Sequence, residues 1–349
     1  GRLIDKYGPK WFLVTGSLVI GAGFVLLSFI NATWQLYGIY LFMAVGFCCT
    51  SLVPVNTLIT NWFIRKRGFA MSLTNTGLSL GGIVLVPFAV YMISDWGLHI
   101  ALPVLGTIFW VVIIPTALFF IKQRPADINQ YPDGDPPDKA GKTAVNSALS
   151  IEAQLRTWTR RQALRTAAFW AIVAAFLMAL GGQIAFLVHQ VSFLGQYLGT
   201  AGAASAVSLT AGASIAGRLF LGTFVDRCDK RYVTMVCFMI QGIAVLALAY
   251  YNHVIVLYLG TFAFGLTMGS IIMMQSLITG ECFGLKSFAT VSGISGLFTM
   301  SGAAFGPMLA GFIYDATDSY RMAFTIFAVL SILAMGVIYF ARPPEVERD

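Results

Sequence analysis

Arg218 stands in the stretch GASIAGRLFLGTFVDRCDKR, residues 212–231, four residues before Gly222 and eight before Asp226. The first half of this stretch is small and apolar; the second half carries the charge of a loop in water. On a helix, eight residues put Arg218 about 12 Å deeper than Asp226. A guanidinium inside an apolar segment costs at least about 2.5–3.5 kcal/mol, and such residues face a cavity or a partner. Its planar fork of donors keeps its proton and fits a carboxylate. An anion, a helix carboxylate or backbone carbonyls would each satisfy it. No acidic residue falls in the apolar part of any predicted span.

Other polar residues interrupt apolar runs. Gln183 and Gln190, seven apart, share a helix face and can line a cavity. Asn56, Asn75 and Gln275 suit ligand contact and interhelical hydrogen bonding equally well. Histidine as a residue type changes charge near physiological pH, which makes His189 a candidate proton site; an interfacial histidine is the plainer reading. No predicted span offers a nucleophile–base pair, a metal-ligand cluster or a phosphate loop, so neither an enzyme nor a cofactor is expected. The five cysteines lack metal spacing and read as small packing residues.

These residues need membrane helices to position them. Of the 349 residues, 58% are hydrophobic and 11% charged, against about 25% charged in soluble domains. Runs of about 20 apolar residues recur, each long enough for a hydrocarbon core of roughly 30 Å. The chain is expected to be an all-α membrane protein with ten transmembrane helices, at residues 11–30, 36–59, 70–94, 100–120, 167–197, 203–224, 232–251, 254–279, 288–314 and 323–340. The alternation of a β-barrel is absent.

The net charge of +7 sits in short loops. Arg2, Lys6, Lys10, the triplet Arg65–Lys66–Arg67, Arg227, Lys230, Arg231, Lys286, Arg342 and Arg348 fall on one side, and only Arg321 on the other. That bias predicts a bilayer and not nucleic acid as the partner, with the first loop, the central stretch and the C-terminus cytoplasmic and the chain in the cell's inner (plasma) membrane. The central stretch opens with KQRPADINQYPDGDPPDKAGKTA, residues 122–144, and reads as a flexible linker. Residues 150–166 read as a basic helix. It either lies on the membrane surface with Trp158 dipping in or runs on into the next span.

The chain repeats itself. Gly1/Gly222, Asp5/Asp226, Lys6/Arg227 and Lys10/Arg231 each lie 221 residues apart, as do Gly81 and Gly302. Pro87 and Pro307 are one residue out of register. A parallel repeat marks two-halved secondary transporters and predicts half-bundles at 1–121 and 167–349 joined by a linker at 122–166. The second half has two spans before its charged loop, whereas the first begins at that loop. Two further helices are therefore expected in front, twelve in all, and the chain alone is expected not to transport.

The loop Gly1, Leu3, Asp5, Lys6, Gly8, Lys10 resembles the signature Gly-x-Leu-x-Asp-basic-x-Gly-x-basic of the major facilitator superfamily. The copy keeps Gly222, Asp226, Arg227 and Arg231, with Asp229 at the second glycine. WFIRKRGFAMSLTNTG, residues 62–77, is similar to the fifth-helix signature of monocarboxylate transporters. Trp62, Phe63, Arg65, Lys66, Arg67, Ala70 and Gly77 hold their places there; Phe69 stands for Leu, Ser72 for Gly, and Thr74 and Thr76 for Ala. All but Phe69 are small, so close helix approach survives. RPADINQYPDGDPP and HQVSFL resemble bacterial relatives near the oxalate/formate antiporter group.

The resemblance implies a monomeric secondary transporter of a small organic anion, a monocarboxylate, by alternating access, with protons as the candidate coupling ion. It implies that Arg218 binds the carboxylate, with Gln183, Gln190, Asn75 and Gln275 beside it. Asp5, Lys6, Lys10, Asp226, Arg227 and Arg231 would form a conformational latch, in which carboxylates at helix ends hold one transport state. Two departures matter. Ser214 stands where the eukaryotic pattern has an aspartate four residues before the arginine, and no Lys or Arg occurs in 288–314, where oxalate-type antiporters carry a second cation. Alternatives are an anion exchanger without proton coupling and a non-transporting sensor of the same fold.

Overall fold

The computed structural model describes residues 2–134, 158–284 and 286–344. Among them are helices and no strand. The helices are α1 (Arg2–Tyr7), α2 (Pro9–Leu27), α3 (Thr33–Thr50), α4 (Leu52–Trp62), α5 (Arg67–Trp96), α6 (Leu98–Pro115), α7 (Arg160–Leu164), α8 (Ala167–Phe224), α9 (Lys230–Tyr250), α10 (Val254–Phe283), α11 (Phe288–Thr317) and α12 (Arg321–Ile338). Among the described residues, nine helical segments are long and apolar enough to cross a bilayer, and the longest, Ala167–Arg227, has length for two crossings. Large apolar side chains such as Trp34, Leu41, Phe119, Phe120, Leu297 and Phe312 are exposed, as a lipid solvent requires.

α8 is broken at Gly199, where φ is +70°, a conformation that favours glycine. Gln190 Nε2 before the break donates to Thr210 Oγ1 after it, at 2.6 Å. A straight helix would hold those residues about 30 Å apart, so the two limbs fold back on each other. They are the separate spans expected at 167–197 and 203–224.

The chain forms two compact units. One draws on Gly1–Arg65, Leu80–Ser150 and Phe288–Thr290; the other on Lys66–Ser79, Ile151–Ser287 and Val291–Asp349. In the first, α2 packs against α3 and α6. Glycines allow it: a Cβ on Gly16 would overlap Cys49 and Thr50, and one on Gly106 the backbone of Gly21. All five cysteines are free. In the second unit, α10 and α12 pack on α8, and α9 packs on both α10 and α12. Phe186, Phe193, Phe264, Phe324, Leu248 and Leu257 are buried in its core.

Three expectations need correction, and one choice left open above is narrowed. The span expected at 36–59 is present within Thr33–Trp62 but is not one continuous helix, since Ser51 is extended between α3 and α4. Pro54 lacks the N–H that would serve the Thr50 carbonyl, and its ring crowds that turn. The span expected to end at 279 runs on to Phe283 and takes in Glu281, whose carboxylate lies 3.8 Å from Lys230 Nζ. The stretch expected to be flexible is docked over its described part, 122–134. Trp62 Nε1 and Asn61 Nδ2 donate to the carbonyls of Lys122 and Gln123, and Asp133 Oδ2 accepts from the backbone of Ile64 and Arg65 at 3.1 and 2.8 Å. Its remainder lies outside the described residues. Finally, α7 does not run into the next span: Thr166 caps α8 afresh, accepting from Phe169 N. Trp158 packs edge-on against Phe283.

Candidate functional site

The second limb of α8 runs antiparallel to the first turns of α5, and four steps of contact join them. The Asp226 carboxylate accepts from Gly68 N at 2.6 Å and Phe69 N at 3.1 Å. A Cβ on Gly222 would overlap the Ser72 side chain. Arg218 Nη1 donates to the Asn75 main-chain carbonyl at 2.6 Å. Ser214 Oγ lies 3.3 Å from Ser79 Oγ. The steps fall every four residues on α8 and every three or four on α5, which is the helical repeat. Small residues let the backbones approach this closely, and Gly68 also leaves room for Val225 and Asp226.

Asp226 meets a need that α5 cannot meet for itself. The first turn of a helix leaves N–H groups without intrahelical partners and carries partial positive charge. A carboxylate placed on two of them satisfies both deficits.

Arg218 is 2% exposed. Among the described residues it has no carboxylate partner. Its Nη1 has the Asn75 carbonyl; its Nε is buried without a hydrogen bond. The cause lies on α10, where Gly269 backs the guanidinium so closely that a Cβ there would overlap Nε and the Ser214 carbonyl. Both side-chain polar atoms of Asn75, and Ser72 Oγ, are likewise buried without partners.

The remaining residues singled out by sequence divide by how well they are paired. Gln190 is spent on Thr210. Gln183 Nε2 donates to the Met268 carbonyl at 3.3 Å, and its Oε1 is buried without a partner. Gln275 Nε2 donates to Ser295 and Thr299 Oγ atoms of α11. His189 Nε2 lies 3.0 Å from the Pro307 carbonyl, which can only accept, so the ring proton belongs there and Nδ1 accepts from Tyr320 Oη at 3.1 Å. Tyr320 stacks on Tyr314 and Phe324; burial, helped by Tyr314, pushes its phenol above the usual range.

Of the residues expected in the latch, Asp226 caps α5. Lys10 Nζ donates to the Leu118 carbonyl near the end of α6. Arg227 is exposed. Arg231 serves its own turn, bonding both Asp229 oxygens. Asp229 in turn caps α9 through Arg231 N at 2.9 Å, and its carboxyl is held below the usual range by the Arg231 hydrogen bond. The side chains of Asp5 and Lys6 lie outside the described set. Sequence reasoning missed the Asn75 carbonyl, Ser79, Gly269 and Asp133. Only Ser79 carried a signal, four residues beyond Asn75 on the same face.

Repeated membrane helices, a charged loop copied in both repeats and a buried arginine between small-residue helices define a multi-pass membrane transport protein. The chain belongs to the Major Facilitator Superfamily, whose family model matches residues 1–202 and 190–349. It is 24% identical over 355 residues to the oxalate:formate antiporter of Oxalobacter formigenes, covering 98% of this chain and 78% of that protein. It is 25% identical over 333 residues to human monocarboxylate transporter 2, covering 91% and 68%. The crystal structure of the E. coli fucose:proton symporter FucP shares the fold with a TM-score of 0.71 at 17% identity, covering 98% of this chain and 86% of that one. Its relatives are transporters and not enzymes.

Proposed function

We propose that the protein is a secondary transporter of small organic anions, monocarboxylates, and that Arg218 anchors the carboxylate. The observation that carries this reading is a buried guanidinium with no carboxylate partner among the described residues, one bond to a main-chain carbonyl and a bare Nε. A carboxylate is a stronger, charge-assisted and bidentate acceptor for that group than a carbonyl is. Names of relatives, an oxalate:formate antiporter and a monocarboxylate transporter, support the same class of cargo. One guanidinium at the anchor, that of Arg218, suits one carboxylate better than two.

Exchange without proton coupling is the second reading, favoured by Ser214. Its hydroxyl, four residues before Arg218, bonds Ser79 and the Ala211 carbonyl and carries no titrating proton. On the first reading His189 is the proton site. The halves 1–121 and 167–349 would rock about the anchor, with the Asp226 end cytoplasmic in the plasma membrane. Asp226 would latch one state by capping α5. The repeat carries the same role to Asp5: 221 residues separate it from Asp226, and the same offset takes Gly68 and Phe69 to Ala289 and Thr290.

The test is uptake of labelled formate, acetate and oxalate by the full-length protein in proteoliposomes. Arg218→Ala should abolish saturable uptake while the protein still inserts and folds. Arg218→Lys keeps the charge without the fork and should weaken binding. Unaltered uptake by Arg218→Ala would sink the anchor. A pH gradient that drives uptake favours the proton-coupled reading, and indifference to one favours exchange.

A further inference from the structure

We propose that the Asn75 carbonyl and the incoming carboxylate compete for the Arg218 guanidinium, so that anion binding releases a staple between α5 and α8. The proposal rests on Arg218 being the anchor and adds what the anchor does when no anion is there. A guanidinium offers a carboxylate two bidentate edges, one through Nε and one through the two Nη atoms. The Nε edge is shut, because Gly269 on α10 lies against it with no room for even a Cβ. The edge that remains includes Nη1, and Nη1 is on the Asn75 carbonyl at 2.6 Å. An anion that takes the end-on fork must therefore displace that carbonyl or turn the whole side chain away from α5.

The exchange is favourable. A helix carbonyl lends Arg218 only its second lone pair, whereas a carboxylate gives two charge-assisted bonds. The buried Nε is bare in the stapled arrangement and gains a partner only if the side chain turns away from Gly269 as it takes the anion. The staple sits mid-seam, between the Ser214–Ser79 contact on one side and the Gly222–Ser72 contact and Asp226 cap on the other. Losing it leaves the seam to the serine contact, the Gly222–Ser72 packing and the Asp226 cap. The empty carrier is thus held closed along α5–α8 by the residue that binds cargo, and cargo loosens it. Such a device suits an exchanger, in which the unloaded protein should not reorient.

The test is cross-linking at the neighbouring step. Ser79→Cys and Ser214→Cys are introduced together into the full-length protein, with Cys48, Cys49 and Cys228 replaced by serine and Cys237 and Cys282 by alanine. Disulfide formation is timed with and without formate, acetate and oxalate. Without anion, Arg218→Ala and Arg218→Met should each slow cross-linking about tenfold or more, the value of a hydrogen bond to a charged group. Arg218→Met keeps the stem, so it separates loss of the bond from loss of packing. In the protein with Arg218, at least one anion should slow cross-linking saturably; in the variants none should. Unchanged anion-free rates in both variants would overturn the staple whatever Arg218 binds. Failure of all three anions to slow the reaction would overturn the competition. Anion binding that survives Arg218→Ala would remove the anchor itself, and the binding measurement tells that failure from the other two.

Discussion

The two limbs of α8 each carry one basic residue inside the membrane-spanning part of the chain, and the two are treated differently. On the first limb, His189 has both ring nitrogens paired, to Tyr320 and Pro307, among stacked aromatic rings. On the second, Arg218 has one bond to a carbonyl, a bare Nε and no carboxylate among the described residues. A buried polar network that is fully paired fixes one structure, whereas a partly paired one stays under-satisfied. His189 thus has the environment of a finished structural joint. Arg218 has that of a resting arrangement that a better acceptor would replace.

The glycines behind the two residues offer the sharpest way to break this contrast. A Cβ on Gly269 would overlap Arg218 Nε and the Ser214 carbonyl; one on Gly311 would meet His189 Cε1 at 3.9 Å, an ordinary contact. Gly269→Ala should weaken anion binding about 10- to 100-fold, since overpacking a tight contact costs about 1–3 kcal/mol. Gly311→Ala should be neutral or raise thermal stability slightly, because alanine is the better helix former by about 1 kcal/mol. Isothermal titration of each variant with formate checks both. Equal affinities would mean that the guanidinium is not held where Gly269 places it.

The second contrast lies between two carboxylates three residues apart. Asp226 caps a helix distant in sequence; Asp229 caps the helix that follows it. Asp226→Asn keeps the shape and removes the charge at the α5 N-terminus, where a charge contributes about 0.3–1 kcal/mol and up to about 2 when partly buried. Transport rate should change by up to about tenfold, and the ranking of competing anions should not. A changed ranking would place Asp226 in the binding site and undo its reading as a latch.

How much of this was legible in the sequence depends on which atoms make the contact. Side chains with marked chemistry announced themselves: Arg218 by charge in an apolar run, Asp226 by its repeat in Asp5, and Ser72 as a small residue at a glycine's place, where it meets Gly222. The Asn75 carbonyl could not, because a main-chain acceptor is the same in every residue. Gly269 is one of 35 glycines, and nothing local separates a glycine that clears a guanidinium from one that clears another helix. The segment 122–134 has the composition of a linker, yet Asp133 docks it onto Ile64 and Arg65 through backbone amides 68 and 69 residues away in sequence. Composition reports the entropy of such a segment and not the long-range bonds that offset it. The break at Ser51 was readable, since Pro54 cannot serve the turn before it.

His189 gives a smaller test. If it is a structural joint, His189→Gln should lower thermal stability by about 1 kcal/mol, the value of a typical buried hydrogen bond, and leave the pH dependence of uptake as it was. A flattened pH profile in that variant would return His189 to the proton path and favour the symport reading over exchange.

The smallest effect belongs to Asp229, and its sign with pH is fixed. The Arg231 hydrogen bond holds the Asp229 carboxyl below the ordinary aspartate value, which is about 3.9. A group depressed in the folded state contributes stability that is complete above its unfolded value and is lost as pH falls through its folded one. Nothing should therefore change from about pH 5 to pH 8, and the contribution should fade below about pH 4. Asp229→Ala removes the cap of α9 at a cost of about 1 kcal/mol. Because the side chain is partly exposed and salt screens it, the ion pair with Arg231 adds little beyond that. Melting curves of the two proteins should be separated by a constant interval at neutral pH and converge in acid, while anion affinity is the same in both. A gap that widens as the pH falls would mean that the carboxyl is protonated in the folded protein and that its pairing with Arg231 is not what holds the turn. A loss of anion affinity would mean that the local cap, and not only the Asp226 cap, sets the register of α8 against α5.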